Sequence, residues 1–134
     1  IKKIGSYAFY SCEKLTQVFL PTCEELGEYC FSACENIKIL SLPRVKSVGD
    51  WQFYGCKSLT DLAIPSAKKI GVNCFYECGA LESIDSQLDA NQFRCDGFMC
   101  YKTCPICRGQ LKTCLEKGND QQNRLRVQKE LEGR

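Results

Sequence analysis

The feature of this sequence that most limits its fold is a strict 22-residue repeat. A period of about 20 to 50 residues is typical of solenoids, in which each repeat packs on its neighbours in the chain. One repeat cannot bury its own apolar face, whereas a stack of repeats shares a continuous core. The repeat is marked by an aliphatic residue followed by glycine, at Ile4-Gly5, Leu26-Gly27, Val48-Gly49 and Ile70-Gly71.

Each glycine is followed by further apolar columns at fixed distances. The phenylalanine and cysteine columns are predicted to form the structural core of the repeat: Phe9, Phe31, Phe53 and Phe75, then Cys12, Cys34, Cys56 and Cys78. Two aliphatic columns come next: Leu15, Ile37, Leu59 and Leu81, then Val18, Leu40, Leu62 and Ile84. An aliphatic-proline pair closes the first three copies: Leu20-Pro21, Leu42-Pro43 and Ile64-Pro65.

Each repeat is predicted to contribute one short strand. In Val18-Phe19-Leu20 and its equivalents, apolar residues alternate with variable ones, which is the pattern of a half-buried strand. The proline that follows has no N–H to donate to a ladder, so it ends the strand. The fourth copy has Ser86-Gln87 in place of the aliphatic-proline pair, so the array is expected to end there. The predicted fold class is a repeat solenoid with parallel strands.

The consensus, roughly Ile-Gly-x-x-(Ala/Cys)-Phe-x-x-Cys-x-x-Leu-x-x-Val-x-Leu-Pro, resembles the BspA-like class of leucine-rich repeats over residues 1 to about 86. The resemblance implies a right-handed superhelix with short parallel strands, curved gently or into a horseshoe. It also implies a role in adhesion and protein recognition, commonly on the surfaces of bacteria and unicellular eukaryotes. The resemblance implies no catalytic residues.

The sequence is predicted to have three parts. Residues 1–86 hold four leucine-rich repeats, at 1–23, 24–45, 46–67 and 68–86; residues 87–114 form a cysteine-rich cap; and residues 115–134 form a polar tail that is partly helical or disordered. Ile1 falls inside a repeat, so the chain is expected to be a fragment of a longer array. Asn119 or Asp120 is expected to cap a short helix from about residue 121, which either docks on a partner or frays.

Seven of the twelve cysteines lie within the repeats. The four in the cysteine column should lie about 5 Å apart with parallel side chains, so we expect buried free thiols and not disulfides. Cys30 and Cys74 precede a phenylalanine, where small core filler explains them. The role of Cys23 is left open by the pattern.

The other five cysteines fall in 20 residues outside the repeat register, at Cys95, Cys100, Cys104, Cys107 and Cys114. We expect a cap stapled by disulfides with one thiol left over, because a solenoid must cover its last core edge. The alternatives are a zinc site formed by the first four thiolates, whose spacing is irregular, and a reduced, loosely folded segment. Cys104-Pro105-Ile106-Cys107 resembles the closing half of a RING finger, but the rest of a RING is missing.

Two columns of outward residues between the buried strand positions are the predicted binding face: Gln17, Ile39, Asp61 and Ser83, then Phe19, Ser41, Ala63 and Asp85. The sheet face is the usual place for recognition in repeat arrays. The alternative is an ordinary solvated sheet with no ligand. A column of aromatic residues, Tyr7, Tyr29 and Trp51, is a second candidate surface, although a packed ladder explains it better.

Composition and missing motifs limit the function. A net charge of +2 gives no field that would attract nucleic acid, and no apolar run is long enough for membrane insertion. The chain has no histidine, no Gly-x-Ser-x-Gly elbow and no glycine-rich phosphate loop, so we predict no enzyme activity, no catalytic residues, no metal and no cofactor.

The predicted function is a protein–protein interaction or adhesion module of a larger leucine-rich repeat protein. We expect it to be extracellular or displayed on the cell surface, with a protein partner. The alternative is a cytoplasmic, intracellular scaffold with a zinc-stabilised cap. A purely structural end of a longer array is the third hypothesis.

Overall fold

The structure is a computed structural model that describes residues 2–98, 100 and 102–133. Ile1 of the first predicted repeat, Met99 and Tyr101 of the predicted cap, and Arg134 of the predicted tail lie outside the described residues. The strands are β1 Lys3–Ile4, β2 Gln17–Phe19, β3 Glu25–Leu26, β4 Ile39–Ser41, β5 Ser47–Val48, β6 Asp61–Ala63, β7 Lys69–Ile70 and β8 Ser83–Asp85. A 3-10 turn at Ala90–Gln92 and two helices follow, α1 Leu111–Gly118 and α2 Gln121–Glu132.

The main sheet has four parallel strands in the order β2-β4-β6-β8. Each strand pairs with the strand 22 residues later, so that Val18 lies beside Leu40, Leu40 beside Leu62, and Leu62 beside Ile84. The pairs β1-β3 and β5-β7 form two smaller parallel sheets with the same offset. The predicted solenoid of short parallel strands is confirmed, and its period sets the register of every strand pair.

The phenylalanine column lies in the core as a stack of rings. Ring centroids are 5.3 Å apart for Phe9 and Phe31 and 5.9 Å for Phe53 and Phe75, and the two rings of each pair are nearly parallel. Phe93 continues the stack 6.0 Å beyond Phe75, although it stands outside the phenylalanine column of the sequence. Offset stacking of this kind adds to the free energy gained by burying the rings.

Two residues in each repeat adopt left-handed backbone conformations. The first position holds Tyr7, Tyr29, Trp51 and Asn73, all with φ between 55° and 62°. A side chain in this region costs about 1 to 2 kcal/mol relative to a right-handed conformation. The turn is stabilised by hydrogen bonds to the next repeat, in which Tyr7 N donates to Glu28 O at 2.8 Å and Trp51 N to Val72 O at 3.1 Å.

Stacking extends beyond residue 86, where the loss of the aliphatic-proline pair predicts the end of the array. Val72 forms a parallel bridge with Arg94, and Asn73 N donates to Arg94 O at 2.9 Å. Both pairs keep the offset of about 22 residues. Ser86 and Gln87 replace the aliphatic-proline pair that ends the strand in the other repeats. The backbone hydrogen bonds at the turns need no particular side chain, so stacking continues without that pair.

The C-terminal segment forms two helices that pack on the solenoid of this same chain. Helix α1 begins inside the segment predicted as cap and contacts β8, while α2 extends back to β2. Asp120 stands at the start of α2, but its side chain makes no capping hydrogen bond to the described residues. Neither helix has the length and apolar character of a membrane-spanning segment in the described part of the chain.

Candidate binding face and thiol cluster

The first column of the predicted binding face lies beneath the C-terminal helices. Ile39 is 2% exposed, Asp61 5% and Ser83 2%, and Gln17 is half-buried. The prediction of an open, outward face is therefore wrong for this column. The sequence predicts these residues on the sheet face. It also predicts that the tail helix either docks on a partner or frays, and does not indicate that the tail covers this face.

Two arginines of α2 pair with the two aspartates of the sheet face. Arg126 Nη2 lies 2.7 Å from Asp61 Oδ1, and Arg124 Nη2 lies 2.9 Å from Asp85 Oδ1. Asp61 is nearly buried and also accepts a hydrogen bond from Ser83. The tail is thus held on the face by charge as well as by packing.

Helix α1 comes close to the backbone of the last strand of the sheet. A Cβ atom at Gly118 would lie 2.0 Å from the carbonyl oxygen of Ile84 and 2.5 Å from the amide nitrogen of Asp85. Only glycine allows a helix end to approach a strand this closely. Gly118 therefore fixes where the tail turns onto the sheet.

The second column borders a groove that the tail leaves open. Phe19, Ser41, Ala63 and Asp85 line a cavity of about 260 Å³, and Val127 of α2 forms part of its opposite wall. Phe19 is 37% exposed, while Ala63 and Asp85 are half-buried. The groove is mostly apolar, and its aspartates are already paired with arginines of α2, so it suits an apolar side chain.

The aromatic column forms a packed ladder along one edge of the solenoid. The rings of Tyr7 and Tyr29 stack with centroids 5.2 Å apart, and Trp51 meets the edges of Tyr54 and Tyr76 at 5.7 and 4.6 Å. Tyr7 is 54% exposed, whereas Trp51 and Tyr29 are half-buried. These ring contacts within the chain agree with the interpretation of the column as a packed ladder.

The cysteine column of the repeat core donates hydrogen bonds to the preceding repeat. Cys34 Sγ lies 2.9 Å from Phe9 O, and Cys56 Sγ lies 3.1 Å from Phe31 O. Cys78 continues the series with Phe53 O at 3.1 Å. Six members of the two core columns are buried, whereas Phe9 and Cys12 of the first repeat are half-buried.

A second column of donors lies at the position before each phenylalanine. Cys30 Sγ reaches Gly5 O at 3.6 Å, Gln52 Nε2 reaches Gly27 O at 2.9 Å, and Cys74 Sγ reaches Gly49 O at 3.0 Å. The three acceptors are equivalent glycine carbonyls. The interpretation of Cys30 and Cys74 as core filler is therefore incomplete, because cysteine and glutamine share a hydrogen-bonding role here.

Burial keeps these thiols neutral. It raises the pKa of Cys56 and Cys74 to about 12 and that of Cys30 to about 11, against an ordinary value of 9.0. A neutral thiol is a poor nucleophile. Cys30, Cys56 and Cys74 are thus structural hydrogen-bond donors and poor nucleophiles.

Four of the five cap cysteines form a compact cluster. The sulfur atoms of Cys95, Cys100, Cys104 and Cys107 all lie within 4.8 Å of one another. All twelve cysteines are among the described residues, and none of them is bonded to another. The structure therefore differs from the predicted disulfide-stapled cap, since the sulfurs gather as a group of four. The fifth, Cys114, lies apart and donates to Leu81 O at 3.6 Å.

The cluster thiols differ from one another electrostatically. Burial opposes ionisation of Cys100, but hydrogen bonds from Cys104 and Thr103 outweigh it and lower the pKa of Cys100 to about 7. Burial raises the pKa of Cys104 to about 11. Thiolates this close repel one another, so the group can ionise fully only when a cation compensates the charge.

Asp96 joins the cap to the fourth repeat. Its backbone N–H donates to Asn73 Oδ1 at 3.0 Å, the Asn73 amide donates back to its carboxylate at 3.2 Å, and the Tyr76 hydroxyl donates to the same carboxylate. The hydrogen bond from Tyr76 is the main reason that the pKa of Asp96 lies below its usual value. Sequence reasoning missed this residue, because its only signal is the offset of 23 residues from Asn73.

Comparisons with known proteins agree with the repeat pattern. Residues 1–106 match the family model described as BspA type leucine rich repeat region, in six copies. A leucine-rich repeat protein from Bacteroides ovatus ATCC 8483 is similar in structure, with a TM-score of 0.56 and 34% identity over 63% of this chain and 24% of that chain. A leucine rich cell surface protein from Faecalibacterium prausnitzii A2-165 has a TM-score of 0.48 and 29% identity over 67% of this chain and 30% of that one.

No curated protein matches the chain significantly. The chain spans less than a third of the length of either solved structure. The family model, however, covers most of the described solenoid and extends past residue 86 into the cap. The chain belongs to the family of BspA-type leucine-rich repeat proteins.

Proposed function

We propose that this chain is an adhesive protein-binding module of a larger, surface-displayed leucine-rich repeat protein, and that the groove along the second column of its sheet face is the binding surface. Membership of the family supports a role in protein interaction. The observation that supports this particular surface is that the sheet face beside the groove already holds a peptide segment, helix α2, through the ion pairs of Asp61 and Asp85.

The proposed partner is a protein segment that enters the groove beside α2. Phe19 and Ala63 offer an apolar floor, and Asp85 at one end is already paired with Arg124 of α2. The partner should therefore present an apolar side chain to the groove. Burial of that side chain would provide most of the binding free energy.

Adhesion by this groove is tested with beads coated with the chain and exposed to immobilised extracellular-matrix proteins and intact cells. Ala63→Arg should abolish most of the retained beads, because the long cationic side chain fills the groove. Ser47→Arg is the matched control, since it adds the same side chain to the exposed strand β5 outside the main sheet. Equal retention of the two variants, or no retention of the wild type above uncoated beads, contradicts the proposal.

Display on the cell surface is tested separately in the source organism. Antibodies against the chain should label intact cells, and external protease should remove the signal. Labelling that requires permeabilised cells contradicts surface display.

A second candidate function is an intracellular scaffold, which the gathering of four cap sulfurs within 4.8 Å of one another favours, because such a group suits a metal site formed by reduced thiols. Reduced thiols are typical of the cytoplasm, whereas secreted domains of this cysteine density usually carry disulfides. Alkylation of protein from its native source, denatured without reduction, distinguishes the two. Disulfides among the cap cysteines support the extracellular module, and twelve alkylated cysteines support the scaffold.

A further inference from the structure

We propose that Cys95, Cys100, Cys104 and Cys107 bind one zinc ion as a structural four-thiolate site that closes the end of the repeat array. The inference concerns the cap and does not rest on the proposed binding face.

The positions of the sulfur atoms fit a tetrahedral ion. With zinc–sulfur bonds of about 2.3 Å, the sulfurs of a regular site lie about 3.8 Å apart. The four sulfurs here lie within 4.8 Å of one another, and those of Cys95 and Cys107 are 3.5 Å apart. A shift of a few tenths of an ångström per side chain completes the coordination geometry.

The cluster thiols differ from the other cysteines in their partners. Cys34, Cys56, Cys78 and Cys114 each donate to a backbone carbonyl. In the cluster, by contrast, Cys107 Sγ points at Cys95 Sγ, and Cys104 Sγ accepts a hydrogen bond from the Cys107 amide at 3.3 Å. A sulfur that accepts from backbone N–H is prepared to carry negative charge, as metal-bound thiolates do.

The kind of site follows from its ligands and burial. Four protein thiolates fill a tetrahedral shell, and such closed sites are structural, because a catalytic zinc keeps one position for water. Cys100 and Cys104 are fully buried, whereas Cys95 and Cys107 are half-buried and leave a route from solvent. Each thiol releases its proton on binding, so affinity should fall in acid.

The bound ion would join two segments that both contact the fourth repeat. On one side of the cluster, Arg94 and Asp96 bond to Val72 and Asn73 of that repeat. On the other side, the Arg108 guanidinium donates to Gly79 O at 3.1 Å and to Leu81 O at 3.2 Å. A single ion would therefore hold both segments of the cap on the last edge of the repeat core.

The first test is metal binding by the full chain, purified under reducing conditions and stripped of metal by a chelator. Added Co²⁺ should produce the visible d–d bands and near-ultraviolet charge-transfer bands of tetrahedral cobalt thiolate, saturating at about one ion per chain. Zinc should displace the cobalt and bleach both bands. A wild-type chain that gives no thiolate bands overturns the proposal without any variant.

Matched variants then assign the ligands. Cys104→Ser should lose the cobalt bands and the zinc measured by mass spectrometry, whereas Cys114→Ser should keep both, because Cys114 lies in the same segment but outside the cluster. Circular dichroism of each variant verifies that the repeats remain folded. Equal loss in the two variants, or retention in Cys104→Ser, overturns the assignment.

Alkylation of the wild type provides an independent readout. With zinc bound, iodoacetamide should leave Cys95 and Cys107 unmodified, and a chelator should make both react. Protection that is unchanged by the chelator, or disulfides linking cluster cysteines in chain kept under reducing conditions, contradicts the zinc site.

Discussion

At the scale of single residues, burial of the repeat thiols makes the stability of the folded state sensitive to alkaline pH. Burial raises the pKa of Cys56 and Cys74 to about 12, so the folded state keeps protons that the unfolded state releases above about pH 9. The unfolded state then binds fewer protons, and stability falls as the pH rises from 9 towards 12. Below pH 9 these thiols are protonated in both states and contribute no pH dependence.

We expect Cys56→Ala to lessen this alkaline loss of stability. Removing one fully shifted thiol should reduce the slope of unfolding free energy against pH by up to about 1.4 kcal/mol per unit above pH 9. Urea denaturation from pH 7 to 11 measures the slope, and the slope separates this effect from the cavity that alanine leaves at every pH. Cys12→Ala, in the half-buried first copy of the column, is the control. An unchanged slope in Cys56→Ala contradicts the prediction.

At the scale of elements, helix α2 is held on the sheet face partly by ion pairs, which substitutions can weaken. Arg126 and Arg124 each form an ion pair with the sheet face, and their side chains are about two-fifths exposed. Ion pairs with an exposed partner contribute at most about 1 kcal/mol. The pairs therefore bias the position of α2 without fixing it.

Arg126→Ala should loosen α2 while the repeats stay folded. Asp61 keeps hydrogen bonds from Thr60 and Ser83, so the sheet itself loses little. Loss of about 1 kcal/mol increases the opening of α2 about fivefold, which hydrogen exchange at residues 121–132 measures. Lys129→Ala removes a positive charge from an exposed position of the same helix and should leave exchange unchanged. If the two variants exchange alike, the Asp61 pair does not hold the tail.

The elements of the solenoid could be predicted from sequence, but the position of the tail could not. A 22-residue period fixes which residues pair, so Val18 and Leu40 were placed together by counting alone. Helix α2 has only a sparse apolar stripe, with Leu131 buried and Leu125 60% exposed. Its binding surface includes β2, β6 and β8, which are separated in sequence, and no local pattern in the tail indicates that surface.

The thiol cluster was only partly predictable for a similar reason. Counting cysteines showed four ligands, but their irregular spacing did not distinguish a metal site from disulfides. The distinguishing feature is the three-dimensional convergence of the sulfurs, which depends on Asp96 and Arg108 anchoring both ends of the segment to the fourth repeat. Those contacts have no repeat signature in the sequence.

At the scale of the whole molecule, removal of zinc should loosen the C-terminal end first. Zinc at about a thousand times its dissociation constant stabilises the folded state by about 4 kcal/mol. A chelator should therefore lower the midpoint of thermal unfolding and speed hydrogen exchange in the cap and α1 more than in β2 and β4. The Cys104→Ser variant should not respond to the chelator. Equal acceleration along the entire array contradicts a role for the ion in the cap.

The return of α2 from the last strand of the sheet to the first changes how the molecule carries load. A simple solenoid pulled from its two ends opens one repeat at a time, because each repeat contacts only its neighbours. Here α1 lies on β8 and α2 reaches β2, so the tail connects the last strand of the main sheet with the first. Tension applied through the C-terminus would peel α2 away before any repeat unfolds, giving the chain a short extension that absorbs force and reverses when the force is released.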